Sequence, residues 1–265
     1  MKKWPIALQL FSVRESAQKD LVGTLRAIRE MGYDGVELAG TYGKTAVEVK
    51  KLLEETGLEL VSAHVPVEQL ETAAALEDYA AAGLKYVAIP ALFPAPANEE
   101  ELAAAVARIE AIARSCAERG MQLLYHNHDF EFRKLEGGYI LDQYYARISA
   151  GLLQTELDVC WVKVGGLKPP AYLRKYAGRA PVVHLKDYAG QKPERGNDRA
   201  DAPEDPSDRF EFRPVGYGRQ DIPSILAAAE EAGAQWLVVE QDSPGLGRTD
   251  MECAEMSVRY LRSLM

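Results

Sequence analysis

Cysteine is scarce in this chain. Its three cysteines, Cys116, Cys160 and Cys253, are widely spaced and form no CxxC pair. That excludes a disulfide framework and a structural zinc knuckle, and the expected location for such reduced thiols is the cytoplasm. Long apolar runs are missing too: no segment approaches the roughly 18 consecutive apolar residues of a membrane-spanning helix. The N-terminal stretch MKKWPIALQLFSVRE has two lysines and a short apolar run. That run ends within about seven residues with no small-residue cleavage site after it, so it reads as a first core strand and not as a secretion signal. Clusters of Lys and Arg are absent, and the formal net charge is −9. Such a chain has no general attraction for phosphate backbones or anionic lipid, so neither nucleic acid nor a membrane is expected as a partner.

What is present is a rhythm. Hydrophobic residues make up 47% of the 265 and charged ones 27%, ordinary values for a globular protein. Short apolar, strand-like runs fall at residues 6–11, 35–38, 58–64, 85–90, 121–127, 155–158, 181–185 and 236–240. Amphipathic, helical stretches lie between and after them, at 20–31, 45–56, 68–82, 99–119, 141–148, 170–177, 222–232 and 250–264. Gly32, Gly57, Gly83, Gly120 and Gly233 stand where helices should end before the next strand. Strands apolar on both faces, alternating with helices, predict a parallel sheet. At this length the closed (β/α)8 TIM barrel is preferred over an open doubly wound sheet, and the first βα turn lacks the GxGxxG of a dinucleotide site. The expectation is a single barrel domain over residues 1–265. One stretch breaks the rhythm: residues 188–220, rich in Asp, Glu, Arg, Pro and Gly, follow the seventh strand and read as a lid over the site or as a polar insertion.

The chain has only four histidines, His64, His126, His128 and His184, and each falls at or just past the end of an expected strand. Barrel active sites are built at that C-terminal face. Carboxylates join them: Glu37 in GVELAG, Glu156 and Asp158 in TELDVCW, and Glu240 in WLVVEQD. A carboxylate directly after an apolar run such as LVV is costly to bury without a cation. Because side chains alternate along a strand, Glu156 and Asp158 share a face, as do His126 and His128. Mixed imidazole and carboxylate donors without sulfur suit one divalent ion, with Mn2+ preferred and Mg2+, Co2+ or Zn2+ as alternatives. Such an ion acidifies a C–H beside a carbonyl, which is the chemistry of sugar isomerisation, epimerisation and dehydration.

The segments LLYHNHDFEF, TELDVCWVKVGG, PVVHLKD and WLVVEQD, in this order and at barrel spacing, resemble the xylose-isomerase-like TIM barrel superfamily, in particular its sugar phosphate isomerase/epimerase branch. The resemblance runs from ALQLFSVR to the last helix. It implies metal ligands at Asp158, His184 and Glu240. At the fourth ligand position, where many relatives carry Glu-Asn-His, this chain has His126-Asn127-His128, so His126 stands in place of a glutamate. In the epimerases two glutamates form the acid/base pair, so Glu131 or Glu156 is the candidate to supply the missing carboxylate. The resemblance implies Glu240 as the base, with His128 or Glu131 as its partner. Lys186 shares a face with His184 and either binds an oxyanion or pairs with a neighbouring acid. Asp187 reaches the substrate or braces the metal shell. Glu37 and His64 are expected at the substrate end of the pocket, and Trp161 as an aromatic wall for a sugar ring or as plain packing. The turn from Val215 to Gly218 is expected near substrate. The implied function is a divalent-metal-dependent isomerase or epimerase acting on a small sugar, keto-sugar or polyol. A dehydratase or 3-keto-sugar eliminase is the alternative, because the fifth-strand glutamate is missing. Repair of abasic DNA is disfavoured by the histidine count and the charge, and a non-catalytic sugar-binding barrel stays open. Relatives are often dimers or tetramers, which leaves a homo-oligomer open as well.

Overall fold

The computed structural model describes residues 3–135, 137–191 and 209–265. Eight parallel strands close into a barrel in sequence order, with the first strand paired to the second and to the eighth. They are Ile6–Gln9, Gly35–Ala39, Glu59–His64, Tyr86–Ile89, Gln122–His126, Leu153–Asp158, Val182–Leu185 and Trp236–Val239. Helices between them cover the outside. Their starts follow from capping chemistry: Thr45 and Thr249 each form a reciprocal capping box with the glutamate three residues on, and Asp20, Asn98 and Asp221 cap by side chain. The glycines expected at helix ends are there; Gly32 and Gly57, for instance, take φ of 104° and 75°, a left-handed conformation that favours a residue without Cβ.

Alternation along the strands sorts two layers. Ile6, Leu8, Leu123, Tyr125, Val183, Leu185, Leu237 and Val239 face the helices. Ala7, Val61, Tyr86, Ala88, Leu124, Val182 and Val238 fill the barrel interior as a separate apolar plug. Each large side chain so buried stabilises the fold by about 1.5–3 kcal/mol. The next inward residue on most strands, one step nearer the C-terminal mouth, is polar: Gln9, Glu37, His64, His126, Glu156, His184 and Glu240. The polar floor of the mouth therefore rests on an apolar plug.

Several expected boundaries shift. The first strand ends at Gln9, and Leu10–Val13 turns into a short 3-10 helix. The helix expected over 68–82 is two pieces, Val67–Leu70 and Ala73–Ala81, the second begun by a side-chain cap from Thr72. An unexpected helix, Val159–Val164, follows the sixth strand at once. The 188–220 stretch is not wholly irregular: Asp187–Ala189 pairs antiparallel with Glu211–Arg213. The part of the expected lid at 192–208 lies outside the described residues. Among the described residues no helix is long and apolar enough to cross a membrane. All three cysteines are buried and free.

Candidate active site at the barrel mouth

The polar residues of the inner layer converge into one cluster. Two sets of donor atoms, His126, Asp158, His184 and Glu240, and His64, His126, Glu156 and His184, each lie with all their atoms within 4.8 Å of one another. Local structure explains how each arrives. The seventh strand projects His184, and Lys186 two residues later shares its face. The sixth projects Glu156 and Asp158, and the fifth ends on His126. Asp158 also caps the helix that follows: its Oδ1 accepts from the backbone N–H of Cys160 at 2.8 Å and of Trp161 at 3.0 Å. One carboxylate oxygen is thereby used, and Oδ2 is left for the cluster. The side chain of Asn127 clamps the Asp158 backbone from the neighbouring strand at 3.2 and 3.0 Å.

His64 owes its inward position to a bulge. The second and third strands lose register between Val36 and Glu37, so that Val36 pairs with Leu60 but Glu37 with Ser62. Val61 is the extra residue; it points into the plug, and the phase flip sends Ser62 and His64 inward as well. Gly35 permits the close approach of these strands, since a Cβ there would lie 2.7 Å from the Glu59 carbonyl oxygen. Ser62 then donates to Glu37, whose other oxygen accepts from the Gln9 amide.

Charge in the cluster is organised around two cations. Lys186 Nζ lies 3.4 Å from Asp158, 3.0 Å from Glu240 and 2.8 Å from Asp242. Burial works against its charge, but these three carboxylates hold its pKa well above the usual value. His184 faces Glu37 at 2.8 Å through Nε2 and Glu240 at 3.1 Å through Nδ1. Burial lowers its pKa, and Glu37 and Glu156 more than reverse this, so the ring titrates well above the ordinary histidine range. Glu156 differs from the other acids. Burial and the neighbouring Glu37 carboxylate push it well above the usual range, and its Oε2 is 2.5 Å from His64 Nε2. Burial raises Glu240 too, yet Lys186, His126 and His184 hold it well below the carboxylate norm. The site thus offers one carboxylate kept anionic and one kept protonated a few ångströms apart.

Two buried atoms of the first donor set, His126 Nε2 and Asp158 Oδ2, have no hydrogen-bond partner. They lie 3.5 Å apart, and His126 Nε2 is also 3.5 Å from Glu240. Buried polar atoms without partners are costly, and a convergent imidazole and carboxylate pair in that condition fits a divalent cation. His126 Nδ1 meets the Pro90 carbonyl at 3.3 Å, an outer contact of the kind that orients a metal-bound imidazole.

Not every residue singled out from the sequence reaches the cluster. Glu131 is fully buried, and its two oxygens accept from Tyr125 Oη at 2.9 Å and from the His128 backbone N–H at 2.8 Å. Its carboxylate pins the loop after the fifth strand. Burial pushes it up to about 7. Asp187 points away from the cluster and gathers four backbone N–H groups, from Tyr188, Gly216, Gly218 and Gln220. The glycines of the 215–218 turn serve that clasp: a Cβ on Gly218 would lie 2.2 Å from Asp187 Oδ1. Glu37 and His64 sit in the floor. His128 stacks on Phe130, 5.6 Å between ring centroids, and Trp161 carries the Lys186 ammonium 5.2 Å from its ring centre. Three members of the cluster escaped the reading of the sequence. Asp242 follows Glu240 by two residues and so shares its face, a signal that was there to use. Gln9 ends the first strand as Glu37 ends the second. Ser62 was hidden by the bulge.

The fold has many solved counterparts. A sugar phosphate isomerase/epimerase from Parabacteroides distasonis superposes with a TM-score of 0.80 at 21% identity, over 99% of this chain and 95% of that one. An L-ribulose 3-epimerase gives 0.70 at 16% identity, over 98% and 94%. A probable 3-DHS dehydratase from Bacillus anthracis gives 0.71 at 16% identity, over 98% and 99%. At these identities the likeness establishes the fold. No curated protein sequence matches the chain. The sequence pattern of one family, however, matches residues 25–264, nearly the whole barrel, and on that evidence the chain belongs to the xylose isomerase-like TIM barrel family.

Proposed function

We propose that the protein is a divalent-metal-dependent isomerase or epimerase of a small sugar or keto-sugar. The observation that carries the reading is the pair of unpartnered buried donors, His126 Nε2 and Asp158 Oδ2, set among His184 and Glu240. These four residues would hold the ion, Mn2+ in preference to Mg2+, Co2+ or Zn2+. Bound there, it would supply Lewis-acid polarisation of a substrate carbonyl and so acidify the adjacent C–H. Glu240, kept anionic by Lys186 and two histidines, is the group to accept that proton. Returning a proton requires a second group. Glu156 is kept protonated and is joined to His64, whereas Glu131 is fully engaged by Tyr125 and His128. Lys186 steadies the anionic carboxylates at the mouth and braces the base. The sugar isomerases and epimerases among the similar folds support the substrate class.

One observation favours a lyase as the second reading. The fifth strand presents His126 where two-base epimerases carry a glutamate, so Glu240 has no matching carboxylate across the ion. A single base with a neutral acid suits removal of a proton followed by loss of a leaving group. Incubating the Mn2+-supplied protein with keto-sugars in 2H2O and following the products by NMR separates the readings. Deuterium incorporation with inversion and no loss of water supports epimerisation, and an unsaturated product supports the lyase. Absence of any exchange, with the ion demonstrably bound, would sink both.

A further inference from the structure

A chain of aromatic rings in the mouth has no part in the proton chemistry above. Phe93, in the loop after the fourth strand, packs 4.8 Å from Phe130. Phe130 stacks on His128, and His128 lies 5.5 Å from Trp161 and 5.1 Å from His126. Trp161 continues to Phe212 at 5.7 Å and to Phe210 at 6.4 Å. The rings come from the loops after four consecutive strands and make one connected wall. Its inner end touches the metal-ligand candidate His126, and its outer end is bare: Phe93 is 64% exposed. A phenylalanine ring left in water is an unfavourable surface that a flat apolar partner would cover.

The charges of the mouth narrow the partner further. Lys186 is the only buried lysine or arginine among the described residues, and three carboxylates already surround it. A phosphate or carboxylate at the inner end of the wall would meet Asp158, Glu240 and Asp242 with no free cation to offset them. An uncharged group meets no such penalty.

We propose that the wall from Trp161 to Phe93 is a subsite for a flat, uncharged, apolar substituent carried on the sugar. The substrate class is then an aryl-substituted sugar, with the sugar at the His126 and Glu240 end and the aryl group toward Phe93, and not a sugar phosphate. This rests on the reading of the cluster as a sugar site.

The test is isothermal titration calorimetry of the full chain supplied with Mn2+, using phenyl β-glucoside, methyl β-glucoside and glucose 6-phosphate as probes. Phenyl glucoside should bind about tenfold more tightly than methyl glucoside, as one well-packed ring contact would allow, and glucose 6-phosphate should bind most weakly. Phe93→Ala, at an exposed position where folding is not at stake, should bring the phenyl-to-methyl ratio most of the way back to one. Phe212→Ala should lower the ratio from the other end of the wall. Equal affinities for the two glucosides, a ratio untouched by both variants, or tightest binding of the phosphate would overturn the proposal. Phenol alone, followed by saturation-transfer NMR, separates this idea from the sugar reading beneath it. A phenol signal weakened by Phe93→Ala, with no glucoside bound, supports the wall and removes the sugar. Methyl glucoside binding without phenol binding does the reverse. A wild-type dimer that Phe93→Ala splits into monomers would mean that a second copy covers the ring, and would also overturn the proposal.

Discussion

The imidazole of His184 sets its Nε2 2.8 Å from Oε1 of Glu37. Its other nitrogen faces Glu240 at 3.1 Å, so the ring is held from both sides. A carboxylate behind a metal-bound histidine orients the ring and raises its basicity, and loss of such a partner typically weakens metal binding by about 10- to 100-fold. Glu37→Gln keeps the shape and removes the charge. It should lower Mn2+ affinity by about tenfold in a calorimetric titration; unchanged affinity would show that Glu37 belongs to the floor and not to the ion.

Lys186 neutralises three carboxylates that water does not reach. Removing one partner of a buried ion pair costs about 3–5 kcal/mol. Lys186→Met should therefore unfold at markedly lower urea in the presence of EDTA, and Mn2+ should restore part of the loss by taking over the neutralising role. A metal-free variant as stable as the parent would contradict this account of the mouth.

Ion binding should release protons. Burial lowers the His126 and His184 pKa values, but the carboxylates around each ring outweigh it, so both stay protonated to higher pH than an ordinary histidine. A ligating nitrogen must be neutral. Apparent Mn2+ affinity is then expected to fall as pH falls, with about one proton or more released per ion. Titrations in buffers of different ionisation enthalpy measure that number directly, and zero release would exclude these histidines as ligands.

Glu131 gives a stability signature separate from the ion. Burial lifts its carboxyl to about 7 from an unfolded value of 4.5, so the folded state favours the neutral acid. Between those pH values the folded chain binds more protons than the unfolded one, and stability falls as pH rises through the window. The loss is on the order of 3 kcal/mol by the usual conversion. Glu131→Gln keeps an oxygen for Tyr125 or the His128 N–H and should flatten the thermal-unfolding midpoint between about pH 4.5 and 7. A variant with the parent's slope would place the titration elsewhere.

The eight strands, the eight main helical stretches and their glycine ends were legible in the sequence, because hydrophobic period and capping are local properties. So was the convergence of the histidines and carboxylates: once eight strands run parallel, every strand end lies at one mouth, and residues two apart share a face. The pairs His184 with Lys186 and Glu156 with Asp158 needed nothing more. Other features depended on contacts between residues far apart in the chain. The Val61 bulge, set by the packing of the second strand on the third, turned Ser62 and His64 inward. Asp187 and Glu131 look like site carboxylates on paper. Only the folded chain shows their oxygens claimed by the backbone N–H groups of neighbouring loops and by Tyr125 Oη. The aromatic wall joins four loops that no local pattern connects. The sequence by itself determined the barrel and which residues gather at its mouth, through periods of two and 3.6 that every short segment carries. Closure of the barrel decided which of those groups face the ion site and which hold its walls, because hydrogen-bond partners are assigned only when distant segments meet.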